Sequence, residues 1–247
     1  MKPLEEALAA AGLDWIVPKW PAPTCVHAFS TTRTLGPARV SPAPSSARDR
    51  VEDAIRRWLP SPPRWLAQVH GAHVHDADLA APVSERPRAD AIVARAVNTV
   101  CAIETADCLP VLFADRDGSV VAAAHAGWRG LAAGVLEATL GAMRTDPTAA
   151  LAWIGPGIGP LAYEVGLDVR DAHCAADPGA AACFAPHQAG KWLADLRALA
   201  RRRLERAGVR SIHGAARCTF TEASVFHSYR RDGASAGRMV TVIWRTQ

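Results

Sequence analysis

Four short segments of this chain carry polar groups that a purely structural sequence would not need: Gln68-Val-His70-Gly71, Thr105-Ala-Asp107-Cys108-Leu-Pro110, Ala124-His125-Ala-Gly127-Trp-Arg129-Gly130 and Ser228-Tyr-Arg230-Arg231-Asp-Gly233. Among them His70, Cys108 and His125 offer two imidazoles and a thiolate. That donor set suits zinc or copper and leaves a fourth position for water or substrate. The same side chains suit a second chemistry, in which a thiolate activated by a neighbouring histidine attacks a carbonyl while Asp107 or Gln68 orients the pair. Residue type does not separate these readings. Neither does spacing, because residues 71–107 and 109–124 lie between the three. A plainer reading makes them satisfied core histidines and an inert buried cysteine. Arg33, Arg129, Arg230 and Arg231 are able to grip phosphate or carboxylate in a bidentate way, against surface solvation as the simpler role for any one of them.

The elements that must position these groups are legible as short apolar runs: Ala91-Ile-Val-Ala, Val100-Cys-Ala-Ile, Val111-Leu-Phe-Ala, Val120-Val-Ala-Ala-Ala and Leu151-Ala-Trp-Ile. Each has the length and composition of a buried strand. Asp115-Arg-Asp-Gly118 between two of them carries the Asp-Gly signal of a tight hairpin, which makes that pair antiparallel and disfavours an all-parallel sheet. Each of the four polar segments therefore lies beside a strand end, where a sheet fixes direction and a loop allows access.

After Gly127-Trp-Arg-Gly130, the repeat of Leu131, Val135, Ala138 and Ala142 predicts a helix, and residues 188–207 predict another. In the latter, Leu193, Leu196, Ala200 and Leu204 face inward, while Arg201, Arg202 and Arg206 form a solvated face. A third helix starts near Ser46, with Ser46 and Asp49 resembling a cap and Val51, Ala54, Ile55, Trp58 and Leu59 on one face before Pro60. Met239-Val-Thr-Val-Ile-Trp244 closes the chain as a strand. Gly155-Pro-Gly-Ile-Gly159-Pro160 lacks the spacing and the Lys of a phosphate loop, and a rigid turn after a strand is its simpler role. His27, His73, His75, His173, His187, His213 and His227 show no partner pattern and are taken as structural.

With 247 residues, 49% of them hydrophobic, the chain is able to bury a sizeable core as one domain, 1–247, without disulfides. Its formal charge of +4 is small, and its arginines are dispersed, so composition does not point to nucleic acid. The cysteines at 25, 101, 108, 174, 183 and 218 include no Cys-x-x-Cys pair. Acidic residues and a proline interrupt any secretory signal at the start, and no apolar stretch reaches membrane-spanning length, so a reducing cytoplasm is expected. A monomer is expected, since no long apolar stripe announces a partner.

In order, the segments resemble the YfiH family, also called the laccase-domain or polyphenol oxidase family. The similarity runs from about Phe29 to Trp244 and adds Thr32-Arg33, Ala89-Asp90-Ala91, Arg217-Cys218-Thr219 and Phe226-His-Ser-Tyr-Arg230-Arg231-Asp to the marks above. The resemblance implies an α+β fold with mixed β-sheets packed between helices. It places the metal-binding His, Cys and His on His70, Cys108 and His125, with zinc as the metal and copper as the alternative. It places the anion-holding Arg on Arg33, beside Gln68, Asp107, Arg129 and Arg230 as the substrate- and phosphate-binding set. The implied activity is phosphorolysis of adenosine, inosine and methylthioadenosine to free base and ribose 1-phosphate, with adenosine deamination in addition. Three alternatives stand beside it: a cysteine hydrolase or amidase acting on cell-wall precursors, a copper-dependent phenol oxidase, and a non-catalytic metal- or nucleotide-binding protein. The chain departs from the family pattern between Arg33 and Gln68, where Thr34-Leu35-Gly36-Pro37 leads into a shortened Pro- and Ser-rich stretch expected to bear on substrate specificity.

Overall fold

The computed structural model describes residues 4–35, 47–79 and 86–247. Its strands are β1 (Val26–Ser30), β2 (Val74–Asp76), β3 (Ala91–Ala94), β4 (Cys101–Thr105), β5 (Leu109–Asp115), β6 (Val121–Ala126), β7 (Ala150–Ile154), β8 (Glu164–Val165), β9 (Phe184–Pro186), β10 (Trp192–Ala194), β11 (Ser211–His213) and β12 (Met239–Arg245). The helices are α1 (Leu4–Ala10), α2 (Ala47–Arg56), α3 (Trp128–Ala133), α4 (Val135–Met143), α5 (Leu167–Cys174), α6 (Leu196–Arg206) and α7 (Tyr229–Asp232). No helix among the described residues is long and apolar enough to cross a membrane.

A six-stranded sheet in the order β11-β7-β5-β6-β3-β2 forms the centre. Its inner pairs are antiparallel, and its two outermost pairs, β11 with β7 and β2 with β3, are parallel. One face, through Val111, Phe113, Ala122, Ala124 and Ile154, packs on Leu131, Val135, Leu136 and Leu140 of α3 and α4 and on Ala200 and Leu204 of α6. The other face, through Ile92, Leu112, Val121 and Trp153, packs on Ile103 and Ile243 of a second, three-stranded sheet, β1-β12-β4. The far side of that sheet, Phe29, Val242 and Trp244, is covered by Leu8 of α1 and Val51 and Ile55 of α2. The result is helix, sheet, sheet, helix in layers, the expected α+β arrangement of mixed sheets between helices. Coverage on both faces is why β5 is buried along its whole length and reads as a continuous apolar run rather than an alternating one. Truncating Phe113, which has no solvent exposure, to Ala should cost about 3–5 kcal/mol.

The five strands expected from apolar runs all form. The hairpin forms as well: the Asp115 side chain accepts N–H bonds from Ser119 at 2.7 Å and Val120 at 3.1 Å, and Gly118 takes the left-handed φ of 68°. Two helical expectations need correction. The segment 188–207 is helical only from Leu196, because Asp195 caps it by accepting from Ala198 N–H at 2.8 Å, while Trp192–Ala194 pairs as β10 with β8 and β9. Its arginines do more than meet solvent: Arg202 and Arg206 both pair with Asp177, and Arg203 reaches Glu137 at 2.9 Å. The helix after Gly130 breaks at Gly134, whose φ of 91° ends α3 and starts α4. Its buried stripe then runs through Val135, Leu136, Thr139, Leu140 and Met143, leaving Ala138 and Ala142 at the margin. Helix α2 forms over 47–56, and the proposed cap Ser46 lies outside the described residues, as do residues 36–45 of the divergent stretch.

Candidate metal centre

The β5–β6 hairpin sets the register of the site. It pairs Leu109 with Ala126 and Pro110 with His125, so the residue before β5, Cys108, falls opposite the residue after β6, Gly127. Gly127 has to be small: a Cβ there would lie 2.8 Å from Cys108 Sγ and 3.3 Å from His70 Cδ2. His70 arrives from a different part of the chain, in a loop whose φ at His70 is +61°. That loop is docked on α3, where a Cβ on Gly130 would meet the Gly71 carbonyl at 2.9 Å. The two imidazole rings stand 4.8 Å apart at 81°, and ligand atoms of His70, Cys108 and His125 all lie within 4.8 Å of one another. His125 is buried, Cys108 half-buried and His70 exposed, so the group opens to solvent on one side.

A carboxylate that sequence reasoning gave no role organises this group. Asp90 is fully buried and precedes β3. One oxygen accepts from His125 Nδ1 at 2.9 Å and from His70 N–H at 2.8 Å; the other accepts from Gly71 N–H at 2.6 Å and Val69 N–H at 3.2 Å. The bond to Nδ1 leaves Nε2 as the His125 nitrogen that faces Cys108. The backbone bonds hold the His70 loop in its left-handed turn. A signal was present in the sequence, an ionisable residue set against a wholly apolar strand, because such a group is buried only when fully bonded.

Electrostatics follow from this geometry. Burial alone would raise the Cys108 thiol, but hydrogen bonds from His125 and His70 and their charges bring it down to about 6. Burial alone would lower His125, but its bonds to Asp90 and Cys108 push it up to about 9. Burial would raise Asp90, and the bonds from His125, Gly71 and His70 hold it below its ordinary value. The metal-free group therefore holds a ready thiolate beside a protonated His125; once a metal displaces that proton, one thiolate and two imidazole nitrogens make a donor set that fits zinc or copper.

A family model described as multi-copper polyphenol oxidoreductase laccase matches residues 43–246. The chain belongs to that family. Among its laccase-family relatives, the purine nucleoside phosphorylase YfiH of Escherichia coli (strain K12) is 48% identical over 242 residues, covering 93% of this chain and 98% of that protein. The purine nucleoside phosphorylase PA4543 of Pseudomonas aeruginosa is 46% identical over 93% of this chain and 98% of its own length. The crystal structure of Neisseria meningitidis protein NMB0706 superimposes with a TM-score of 0.85 at 42% identity, covering 95% of this chain and all 100% of that one.

In this laccase-family chain the other expected site residues divide into two sets. Asp107, at φ +87°, accepts from Thr219 Oγ1 and from Arg230 N–H, both at 2.6 Å, and so ties the 219–230 segment to the Cys108 turn. The Gly155–Gly159 segment packs on the same turn, with Ile158 N–H donating to the Asp107 carbonyl at 2.8 Å. Gln68 has both ends of its amide bonded to the Glu104 backbone at 2.8 Å, which fastens the His70 loop to β4. Arg33 donates to the Ala223 carbonyl at 2.7 Å and sits 3.7 Å from Asp232. Arg231 is bonded to the carbonyls of Thr219, Phe220 and Phe226. Arg129 lies over Trp128 at 4.4 Å, and Arg230 over Tyr163 at 5.3 Å. Tyr163, which carried no signal in the sequence, lies under the Arg230 guanidinium; burial and the Cys108 charge push its phenol up, while the Arg230 and Arg129 charges pull it down.

Proposed function

We propose that this chain, residues 1–247 acting as one catalytic unit, is a metal-dependent purine nucleoside phosphorylase. It cleaves adenosine, inosine and methylthioadenosine to free base and ribose 1-phosphate, with adenosine deamination as a further activity of the same centre. The observation that carries the reading is the convergence of His70, Cys108 and His125 on one half-open point. The activity named for relatives 48% and 46% identical over nearly their whole length supports it.

Cys108 as thiolate and His70 and His125 as neutral imidazoles would hold zinc, with copper as the other metal the donors suit. When bound, the metal supplies a positive charge able to ready water or polarise groups about the glycosidic bond. Asp90 fixes the orientation of His125 and the turn that carries His70. Arg33, Arg129 and Arg230 neutralise the phosphate, and Gln68 and Asp107 act by holding the loops that present these groups.

Incubating the purified protein with adenosine, with and without phosphate, and following adenine, inosine and ribose 1-phosphate together tests the reading. Phosphate-dependent release of adenine with an equal yield of ribose 1-phosphate is expected, and absence of any purine product would overturn it. A second reading is favoured by one observation, the Cys108 thiolate beside imidazoles, which also suits a cysteine hydrolase or amidase; full activity of metal-stripped protein on an amide would support that one. Multi-copper oxidation of phenols requires further copper sites to collect electrons, and among the described residues His70, Cys108 and His125 are the one such donor group.

A further inference from the structure

The cations around the centre differ in what they already hold. Arg33, Arg217 and Arg231 each have a carboxylate partner, Asp232, Glu222 and Asp232 respectively. Arg129 and Arg230 have none among the described residues, and both are exposed. The Arg230 guanidinium lies 5.3 Å over the Tyr163 ring and the Arg230 backbone N–H is bonded to Asp107, the neighbour of Cys108, while Arg129 lies over Trp128, which packs on the same apolar cluster as Tyr163. The Tyr163 hydroxyl makes no hydrogen bond to another described residue, although the residue itself is firmly placed. Its carbonyl accepts from Ala194 N–H at 2.9 Å, its ring packs against the helix-covered core, and it leads directly into β8.

The acceptors bonded to Arg230 are already in use. Both oxygens of Asp107 are engaged, by Thr219 and by Arg230 N–H, and the Glu164 carbonyl is taken by the Arg230 guanidinium at 3.0 Å. Two guanidinium groups and a phenolic O–H present donors to a ligand rich in acceptors, such as an anion. A ribose, whose hydroxyls must also donate, suits them less well.

We propose that Tyr163 is a phosphate-binding residue, its hydroxyl donating to an oxygen of the inorganic phosphate held by Arg129 and Arg230 beside Cys108. This deepens the phosphorylase reading and rests on it for the role of the phosphate. The test compares wild type, Tyr163→Phe and, as a neighbouring control, Tyr229→Phe. Inorganic phosphate is titrated into each purified, metal-analysed protein by calorimetry, and KM is measured separately for phosphate and adenosine. Loss of one hydrogen bond to an anion predicts about tenfold weaker phosphate binding in Tyr163→Phe, with adenosine KM unchanged and Tyr229→Phe like wild type. Unchanged phosphate affinity in Tyr163→Phe, weakening confined to adenosine, or no phosphate binding by wild type would each overturn the proposal. If Tyr163→Phe weakens phosphate binding while wild type yields no ribose 1-phosphate, the phosphate contact stands and the phosphorylase reading falls.

Discussion

Replacing Asp90 by Asn preserves the shape of a fully buried side chain and exchanges one of its two acceptor oxygens for an amino group. Each oxygen serves two donors: His125 Nδ1 and His70 N–H on one, Gly71 N–H and Val69 N–H on the other. Whichever oxygen is exchanged, two donors face another donor with no water to turn to. Hydrogen bonds to a charged acceptor contribute about 1.5–3 kcal/mol each, so the substitution should cost on the order of 3–5 kcal/mol. For a chain of this length that lowers Tm by roughly 10 °C. Metal affinity should fall about 10–100-fold, because the bond that orients His125 is lost or reversed. Asp90 is held below its ordinary value in the fold, so its contribution is complete above about pH 4 and disappears as acid titrates the folded carboxylate. The gap between wild type and variant should therefore close at low pH. Thermal unfolding of the metal-free proteins across pH, followed by competition with a chelator, measures both effects. An Asn variant that melts within about 2 °C of wild type and keeps its metal equally tightly would refute the organising role of Asp90.

Two further outcomes follow from single residues. Gly127→Ala places a methyl group 2.8 Å from Cys108 Sγ, so it should reduce metal occupancy and turnover at least tenfold while far-ultraviolet circular dichroism stays that of wild type; full occupancy would contradict the close approach. His173 is buried beside Arg203, which together hold it down to about 4 against a bond to the Trp128 backbone. The unfolded chain takes up this proton near pH 6.5 and the folded chain only near 4, so stability is full above about 6.5 and declines as pH falls between those values, by roughly 3 kcal/mol. His173→Leu should flatten that limb of a denaturation profile, and an unchanged slope would assign the acid sensitivity to other groups.

The strands were legible because burial on both faces leaves β3 and β7 wholly apolar and β5 and β6 apolar apart from Asp115 and His125, and the hairpin because Asp115 and Gly118 are required by its turn. His70, Cys108 and His125 were legible as chemistry, and their convergence follows from a hairpin register plus one docked loop. What escaped were contacts between residues distant in sequence. Asp90 stands out locally only as an ionisable residue beside an apolar strand, and its role comes from backbone groups about 20 residues away and from His125; Tyr163 gains its place from Arg230, and no local pattern encodes those partners. The segment 188–195 misled because Leu193 falls in phase with the apolar face of α6, although Asp195 starts that helix later. The Arg202 and Arg206 clamp on Asp177 shows the same limit: a charge run on a helix says which side faces out, and its partner is decided by packing.

The claim on which the rest depends is that Cys108 is both a metal ligand and a requirement for nucleoside turnover. Metal content and phosphate-dependent adenine release, measured side by side on wild type and Cys108→Ala of verified fold, address it directly. Wild type should carry about one metal ion per chain and release adenine with ribose 1-phosphate, and Cys108→Ala should lose both together. Turnover retained by Cys108→Ala, or metal retained without effect on its affinity, would contradict the account.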